Sequence, residues 1–400
     1  VRVALANPYT PSARPRVFVG REQERERLRD RLARVAAYGE MMGPLTIVTG
    51  PRGVGKTSLL RDVASQAERD GFVVAWSACV KQRTFLTEVM GSVTRALERA
   101  EAITTPSGHA SKVTVELRAG LARIATEFTR PHTSPSGRIG PLQDFFESAS
   151  TLVRGRGGAG LVVMIDELHA PLESGSGWGY QPDADAATEA AVLLNVVQQM
   201  EAERERFPLG LVGAGLPQTK GLLTRAATFG ERSLEITLAD LDDATSAHVL
   251  TAPAAAMDVR WAPDALAEAV ATAQGYPQSL QVLGSATWEA ARPTAGATLT
   301  LADFRAGVEE AERDLASMFE ARWSVTTPAE RTFLTAMAGL GDGPVRRRNL
   351  AEALGVTTTA LSIPRQKLID KGVIEEAGRG LLRFTVPGFG EFVRRREGVS

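Results

Sequence analysis

A chain of 400 residues is too long for one ordinary hydrophobic core and calls for two to four domains, of which we expect three. Charged residues at 23% and apolar residues at 44% are globular values, and no apolar run approaches the roughly 18 residues of a membrane span, so a disordered chain and a membrane protein are both excluded. The single cysteine, Cys79, rules out an internal disulfide or a cysteine-based metal cluster, and the net charge of −1 leaves any attraction to nucleic acid to a local patch. A cytoplasmic location is the expectation.

Residues 1–16 carry Pro8, Pro11 and Pro15 without periodicity and read as an extended lead-in. Val17-Phe-Val-Gly-Arg-Glu22 follows, then a charged helical stretch to about Tyr38 with Leu28, Leu32 and Val35 on one face. Next comes an apolar strand, Leu45 to Val48, running through Gly50-Pro51-Arg52-Gly53-Val54-Gly55-Lys56-Thr57-Ser58 into a helix that reaches Ala67. This is G-x-x-x-x-G-K-[ST] between a strand and a helix, the context that makes the pattern a P-loop. Glycines let backbone N–H groups curl around phosphate oxygens, and the opening helix end adds its partial positive charge. Lys56 is placed for the β- and γ-phosphates of ATP, and Thr57 for the Mg²⁺ that bridges them.

Phe72 to Ser77 reads as a strand and Thr84 to Ala100 as a helix capped near Arg83-Thr84. Residues 104–113 and 130–141 are loop-like in composition, around a helix at about 115–128, and a further helix is expected over Pro141 to Val153. Leu161-Val-Val-Met-Ile-Asp-Glu-Leu-His169 is a buried strand ending in two acids, about 110 residues after the P-loop. Parallel-sheet order expects acids there: Asp166 to hold Mg²⁺ and Glu167 to accept a proton from the water attacking the γ-phosphate. His169 lacks a metal-like partner spacing and is assigned hydrogen bonding or packing. Residues 171–186, with Trp178 and Tyr180, read as a mobile loop. Ala187 to Arg206 is a helix, Leu209 to Pro217 a strand, Lys220 to Thr228 a helix and Leu234 to Leu238 a fifth strand.

Beyond Ala239 the strand–helix alternation stops. Helices are expected over Asp243–Thr251, Pro263–Gln274, Pro277–Ala291 and Ala302–Glu320. Thr327-Pro-Ala-Glu330 offers an N-cap, a first-turn proline and a capping-box glutamate for a helix to about Gly339. Arg346–Leu354 and Pro364–Lys371 each end at a glycine, and two strands flank Ala377-Gly-Arg-Gly380 as a hairpin. Three helices followed by a hairpin is the order of a winged helix. From Trp323 onward 12 Arg/Lys face 8 Asp/Glu, a local +4. Arginine outnumbers lysine 40 to 6, which we attribute to a GC-rich bacterial genome rather than to phosphate recognition.

Taken in order, Phe18-Val-Gly-Arg-Glu22, the P-loop, Asp166-Glu167, the helical stretch and the three-helix-plus-hairpin end resemble the AAA+ ATPases of the origin-recognition and initiator type, with features of the STAND ATPases. The resemblance implies an α/β fold: a P-loop AAA+ core with a five-stranded parallel sheet over residues 17–240, a helical lid over 241–322 and a C-terminal winged-helix domain over 323–400. It places the backbone of Val19 and Gly20 beside the adenine, sets Pro277 of Gly275-Tyr-Pro277 against the nucleotide, and gives Arg225, or else Arg232, the place of a trans-acting arginine finger. Two departures stand out. Gly213-Ala-Gly215 offers no polar sensor-1 side chain, leaving Gln218 or Thr219 downstream, and the lid helix opens Pro277-Gln-Ser-Leu280 without a sensor-2 arginine, so hydrolysis is expected to be slow or conditional.

The function implied is an ATPase that cycles between ATP and ADP, self-associates in the ATP state and grips double-stranded DNA. The DNA-contacting residues would be Arg346, Arg347, Arg348, Arg365, Gln366, Lys367, Lys371 and Arg379. A STAND-type switch with a protein partner and a transposition or recombination targeting ATPase are the alternatives, and fold alone does not choose among them.

Overall fold

The computed structural model describes residues 4–11, 13–80, 84–104, 119, 135–172 and 184–399. The expected helix at about 115–128, the cap at Arg83 and most of the Trp178/Tyr180 loop lie outside the described residues. The chain forms two compact units, one of residues 21–49 and 59–237, the other of residues 1–20, 50–58 and 238–400.

In the first unit, α1 (Glu22–Tyr38) precedes β1 (Thr46–Thr49), and α2 (Lys56–Arg69), which belongs to this unit from Leu59 on, leads to β2 (Phe72–Ala78). Then come α3 (Leu86–Thr104), α4 (Pro135–Gly155), β3 (Gly160–Asp166), α5 (Ala184–Ala202), β4 (Leu209–Gly215), α6 (Thr219–Ala226) and β5 (Leu234–Thr237). The strands order as β2-β3-β4-β1-β5, and every pairing is parallel, as the sequence leads one to expect. Parallel sheets are covered on both faces, so their central strands read as continuous apolar runs. Every residue of β3 and β4 is buried. The core around them draws Phe85, Leu86 and Val93 from α3 and the residue before it, Phe145 and Phe146 from α4 and Leu193 and Val197 from α5. Helix α4 corrects the sequence reading. It starts six residues before the expected Pro141, which sits inside it. A helical proline removes one backbone donor and crowds the preceding turn, but here the apolar face of Ile139, Leu142, Phe145 and Phe146 holds the helix across that defect.

In the second unit, α7 (Asp243–Ala255), α8 (Pro263–Ala273), α9 (Pro277–Ala291) and α10 (Leu301–Ser324) enclose a core of Leu250, Trp261, Leu283, Trp288 and Phe304, with β6 (Arg260–Trp261) and β7 (Thr298–Leu299) paired beside them. The N-terminal segment is docked here, not merely extended. Tyr9 is buried in this core, accepts a hydrogen bond from Trp261 Nε1 at 2.9 Å and donates to the Leu250 carbonyl at 2.5 Å.

Helix α10 opens on a capping box of Thr300 and Asp303 and continues through the expected boundary at 322/323. Helices α11 (Pro328–Gly339), α12 (Arg347–Ala353) and α13 (Ser362–Asp370) follow, with β8 (Val345–Arg346), β9 (Ile374–Gly378), β10 (Leu381–Phe384) and a further helix, α14 (Phe389–Glu397), that the sequence reading lacks. The Thr327/Glu330 capping box is formed as the sequence spells it, and the hairpin of β9 and β10 is present. Arg346, expected to open a helix, instead pairs as a strand residue with Leu381, producing an antiparallel sheet of order β8-β10-β9. Phe319, Trp323, Phe333, Leu350, Leu368, Leu382 and Phe389 pack into one core, and Tyr276 belongs to it.

Candidate functional site

The P-loop has the backbone that its glycines announce. Gly53 and Gly55 take φ of 83° and 99°, in the left-handed region that side chains resist, and a Cβ added at Gly55 would meet no atom within 4 Å, so the loop keeps open space there. Lys56 is buried at 6% exposure, and its Nζ donates to the carbonyls of Gly50 at 2.9 Å and Pro51 at 2.7 Å, which folds the ammonium over the loop. Thr57 is exposed, and the first turn of α2 holds no acid that would repel an anion. Open glycine space, a fixed cation and a helix start without acids fit the phosphates of a nucleotide.

At the other motif, Thr49 of β1 pairs with Gly215 of β4, and Ile165 of β3 with Gly213, so β1 and β3 end at the same edge of the sheet. Asp166 is buried, and its Oδ1 accepts the Glu167 N–H at 3.0 Å. Glu167 has φ 54°, a left-handed conformation uncommon for a side-chain-bearing residue and typical of functional turns. Its carboxylate is partly exposed and lies 3.2 Å from His169 Nε2, while the other imidazole nitrogen, Nδ1, accepts the Leu216 N–H at 3.3 Å. The acceptor role of Nδ1 puts the proton of a neutral ring on Nε2, the nitrogen nearer the glutamate. Sequence reasoning assigned His169 only a general polar or packing role; its place three residues after Asp166 was the available signal. Among the described residues no cluster of three or more His, Cys, Asp or Glu could form a metal cage. A Mg²⁺ that keeps most of its waters needs only one or two protein oxygens, and the exposed Thr57 hydroxyl at the start of α2 is of the kind it takes.

The structure explains the apolar end of β4. A Cβ at Gly213 would lie 2.7 Å from Leu168 Cδ2, and one at Gly215 would lie 2.2 Å from Thr219 Oγ1. Close packing has replaced side chains at those two positions. Thr219 donates its hydroxyl to the Leu216 carbonyl at 2.5 Å and is fully buried, whereas Gln218, the other downstream candidate, is half-buried. Arg225 ends α6 on the surface, and Arg232 is exposed, with its guanidinium 5.3 Å from the Phe229 ring.

Val19 and Gly20 lie against the helices of the second unit. Val19 packs on their core, and Gly20 faces Thr245 at the start of α7. Pro277 is the first residue of α9, and the residue before it reaches the P-loop: Tyr276 donates its hydroxyl to the Arg52 carbonyl. Burial raises the Tyr276 phenol above its ordinary range, keeping it a neutral donor. A Cβ at Gly53 would lie 2.1 Å from the Tyr276 hydroxyl, so this approach requires glycine. Arg322, at the end of α10, joins the same point, its Nη2 donating to the Arg52 carbonyl at 3.1 Å and to Tyr276 Oη at 3.0 Å. No motif or spacing marks Arg322 in advance.

The basic residues of the C-terminal part divide into two sets. Arg347 N–H donates to the Gly380 carbonyl, which brings Arg346 and Arg347 to the hairpin turn that carries Arg379. Arg346, Arg348, Gln366, Lys367 and Arg379 are exposed, Arg348 pairing with Glu352 on its own helix. Arg365 instead pairs with Glu376 on β9, and Lys371 pairs with the buried Glu330 at 2.6 Å and caps the Val325 carbonyl at 2.9 Å. Those two serve the fold.

No curated protein sequence matches the chain. Residues 316–393 match a domain of unknown function, DUF8462. Among solved structures, the Walker-type ATPase PABY2304 of Pyrococcus abyssi is similar over 96% of this chain and 98% of its own, with a TM-score of 0.63 at 17% identity. The Aeropyrum pernix ORC2 protein, solved as ADPNP-ADP complexes, is similar over 97% of each chain, with a TM-score of 0.56 at 14% identity. No helix among the described residues is long and apolar enough to cross a membrane. The chain has the fold of the P-loop AAA+ ATPases, and its residues 17–212 match the family model of the AAA ATPase domain.

Proposed function

We propose that this chain is an ATP-hydrolysing AAA+ switch that binds Mg-ATP, self-associates in that state and binds duplex DNA through its C-terminal domain. The observation that carries the nucleotide part is the P-loop itself: Lys56 folded over left-handed glycines, with open space at Gly55. Lys56 neutralises the β- and γ-phosphates, while Gly50, Pro51, Arg52, Gly53, Val54, Gly55 and Ser58 supply the loop around them. Val19, Gly20 and Pro277 border the nucleotide. Thr57 and Asp166 are the residues that would hold Mg²⁺, which would supply charge neutralisation on the phosphates. Glu167 takes the proton of the attacking water, with His169 fixing the carboxylate. The similar ORC2 protein, solved with ADPNP and ADP, supports a nucleotide ligand for this chain.

DNA binding rests on helices α11 to α13 and the three-stranded sheet beside them, read as a winged helix, and on the exposed Arg346, Arg348, Lys367 and Arg379. The STAND-type reading, with a protein partner in place of DNA, is favoured by a different observation: Tyr276 of Gly275-Tyr-Pro277 is packed in the C-terminal core and bonded to the P-loop.

Isothermal calorimetry tests the first step. Wild-type protein should bind Mg-ADPNP, and a folded Lys56→Ala variant should lose most of that affinity. Glu167→Gln should bind as wild type and turn ATP over at least roughly a hundredfold more slowly. Unchanged ADPNP affinity in Lys56→Ala would remove the nucleotide assignment, and equal turnover in Glu167→Gln would place the base elsewhere.

A further inference from the structure

Arg322 is buried at 7% exposure, and its two terminal nitrogens make four hydrogen bonds. Nη1 donates to the Gly372 carbonyl at 2.9 Å and to Thr385 Oγ1 at 3.1 Å, and Nη2 to the Arg52 carbonyl and Tyr276 Oη. All four acceptors are neutral. Among the described residues no carboxylate forms an ion pair with Arg322, although less deeply buried cations of the C-terminal part are paired, Lys371 with Glu330 and Arg365 with Glu376. Burial lowers the affinity of the guanidinium for its proton, and the neighbouring Arg52 charge adds to that. A buried, charged, carboxylate-free arginine is costly unless an anion is available to it. The group it touches is the backbone of a phosphate-binding loop.

We propose that Arg322 is a phosphate-binding arginine of this chain, one that links nucleotide at the P-loop to the fold of the C-terminal domain. The inference rests on the nucleotide reading given above. Each of its two terminal nitrogens faces a different part of the unit. Nη2 holds the P-loop carbonyl and is the end that an incoming phosphate would draw away, since a charge-assisted bond is stronger than one to a neutral carbonyl. Nη1 holds Gly372 and Thr385, where the Thr385 hydroxyl itself donates to the Gly372 carbonyl at 2.7 Å, directly after α13 and at the end of β10. Movement of one nitrogen therefore shifts the bonds of the other. The rigid planar fork of arginine suits this double duty, and the three rotatable donors of a lysine ammonium would not reproduce it.

The test uses full-length protein and two measurements. Calorimetry compares Mg-ADPNP and Mg-ADP binding to wild type, Lys56→Ala, Arg322→Gln and Arg322→Lys, each first shown to melt cooperatively. Arg322→Gln should weaken ADPNP at least about tenfold, the scale of one lost charge-assisted bond, with Arg322→Lys between it and wild type. Hydrogen exchange on wild type, which needs no variant, should show altered protection at the amides of Val373 and Thr385 when ADPNP is added. If Lys56→Ala retains wild-type affinity, the nucleotide reading fails and the inference falls with it. If Lys56→Ala loses affinity while Arg322→Gln keeps it, or if exchange at Val373 and Thr385 is unchanged by ADPNP, nucleotide binding stands and the role of Arg322 is overturned.

Discussion

His169 Nε2 lies 3.2 Å from the Glu167 carboxylate, and the imidazole is held from behind by the Leu216 N–H on its Nδ1. The fully buried ring thus lies between the acid after β3 and the turn after β4, the strand that carries no polar side chain at Gly213-Ala-Gly215. We expect His169→Ala to lower kcat by roughly 10- to 100-fold, within the span of a positioned proton-transfer group, with ADPNP affinity within about twofold of wild type. The double variant with Glu167→Gln should lose no more than Glu167→Gln alone, because the two side chains act as a unit. Additive losses measured in steady-state assays would separate the histidine from the glutamate.

Cys79 follows β2, is buried at 8% exposure, and its thiol is pushed up to about 12, first by burial and then by the charges of Asp166, Glu167 and Glu189. The folded thiol keeps a proton that the unfolded chain releases near its ordinary value of 9.0. The resulting stabilisation is complete below that value and is lost as pH rises toward the folded one. Wild type and Cys79→Ala should therefore converge in urea stability between about pH 9 and 11 relative to their difference at about pH 7. At about pH 8 a thiol reagent should label the native protein at least about tenfold more slowly than the urea-unfolded chain.

The elements that carry chemistry were legible because local rules place them. A strand, glycines and a helix fix the P-loop from residues 45–67, and an apolar run ending in Asp166-Glu167 fixes β3. Pro141 misled because a helix-breaking rule is local, whereas the apolar face that carries α4 through it is set by tertiary packing. Tyr9 and Arg322 were illegible for the opposite reason. Their partners, Leu250 and Trp261 for the one and Arg52, Gly372 and Thr385 for the other, are distant in sequence, and no period or motif marks such pairs.

Arg225 and Arg232 are both exposed, as a residue acting on a neighbouring copy must be. Arg232 lies over the Phe229 ring, a contact that holds the guanidinium close to its own chain, so Arg225 is the stronger candidate. If Arg225 acts in trans, specific ATPase activity should rise with protein concentration. Arg225→Ala should remove that rise while leaving ADPNP affinity unchanged, and a mixture with Glu167→Gln protein, which still offers its arginine, should recover part of the activity. Concentration-independent activity in wild type, together with a monomer by light scattering in ADPNP, is the result that excludes it.

The two sets of basic residues in the C-terminal part should separate in one experiment. Lys371 lies against Glu330, which is 1% exposed, so Lys371→Ala leaves a buried carboxylate without its cation. Breaking a fully buried pair costs about 3–5 kcal/mol, and partial exposure of the lysine reduces this to about 1–3 kcal/mol. Arg346, Arg348 and Arg379 are exposed and lose little stability on truncation. Each phosphate contact contributes about −0.9 to the slope of log affinity against log salt, so a triple alanine variant at these three should flatten the slope by about 3 units with melting temperature nearly unchanged. Lys371→Ala should do the reverse, lowering the melting temperature and leaving the slope as in wild type. Fluorescence anisotropy with labelled duplex across a salt series, paired with thermal melts, reads both. A slope that the triple variant does not change would move duplex binding away from this surface, and no duplex binding by wild type with or without Mg-ADPNP would favour a protein partner.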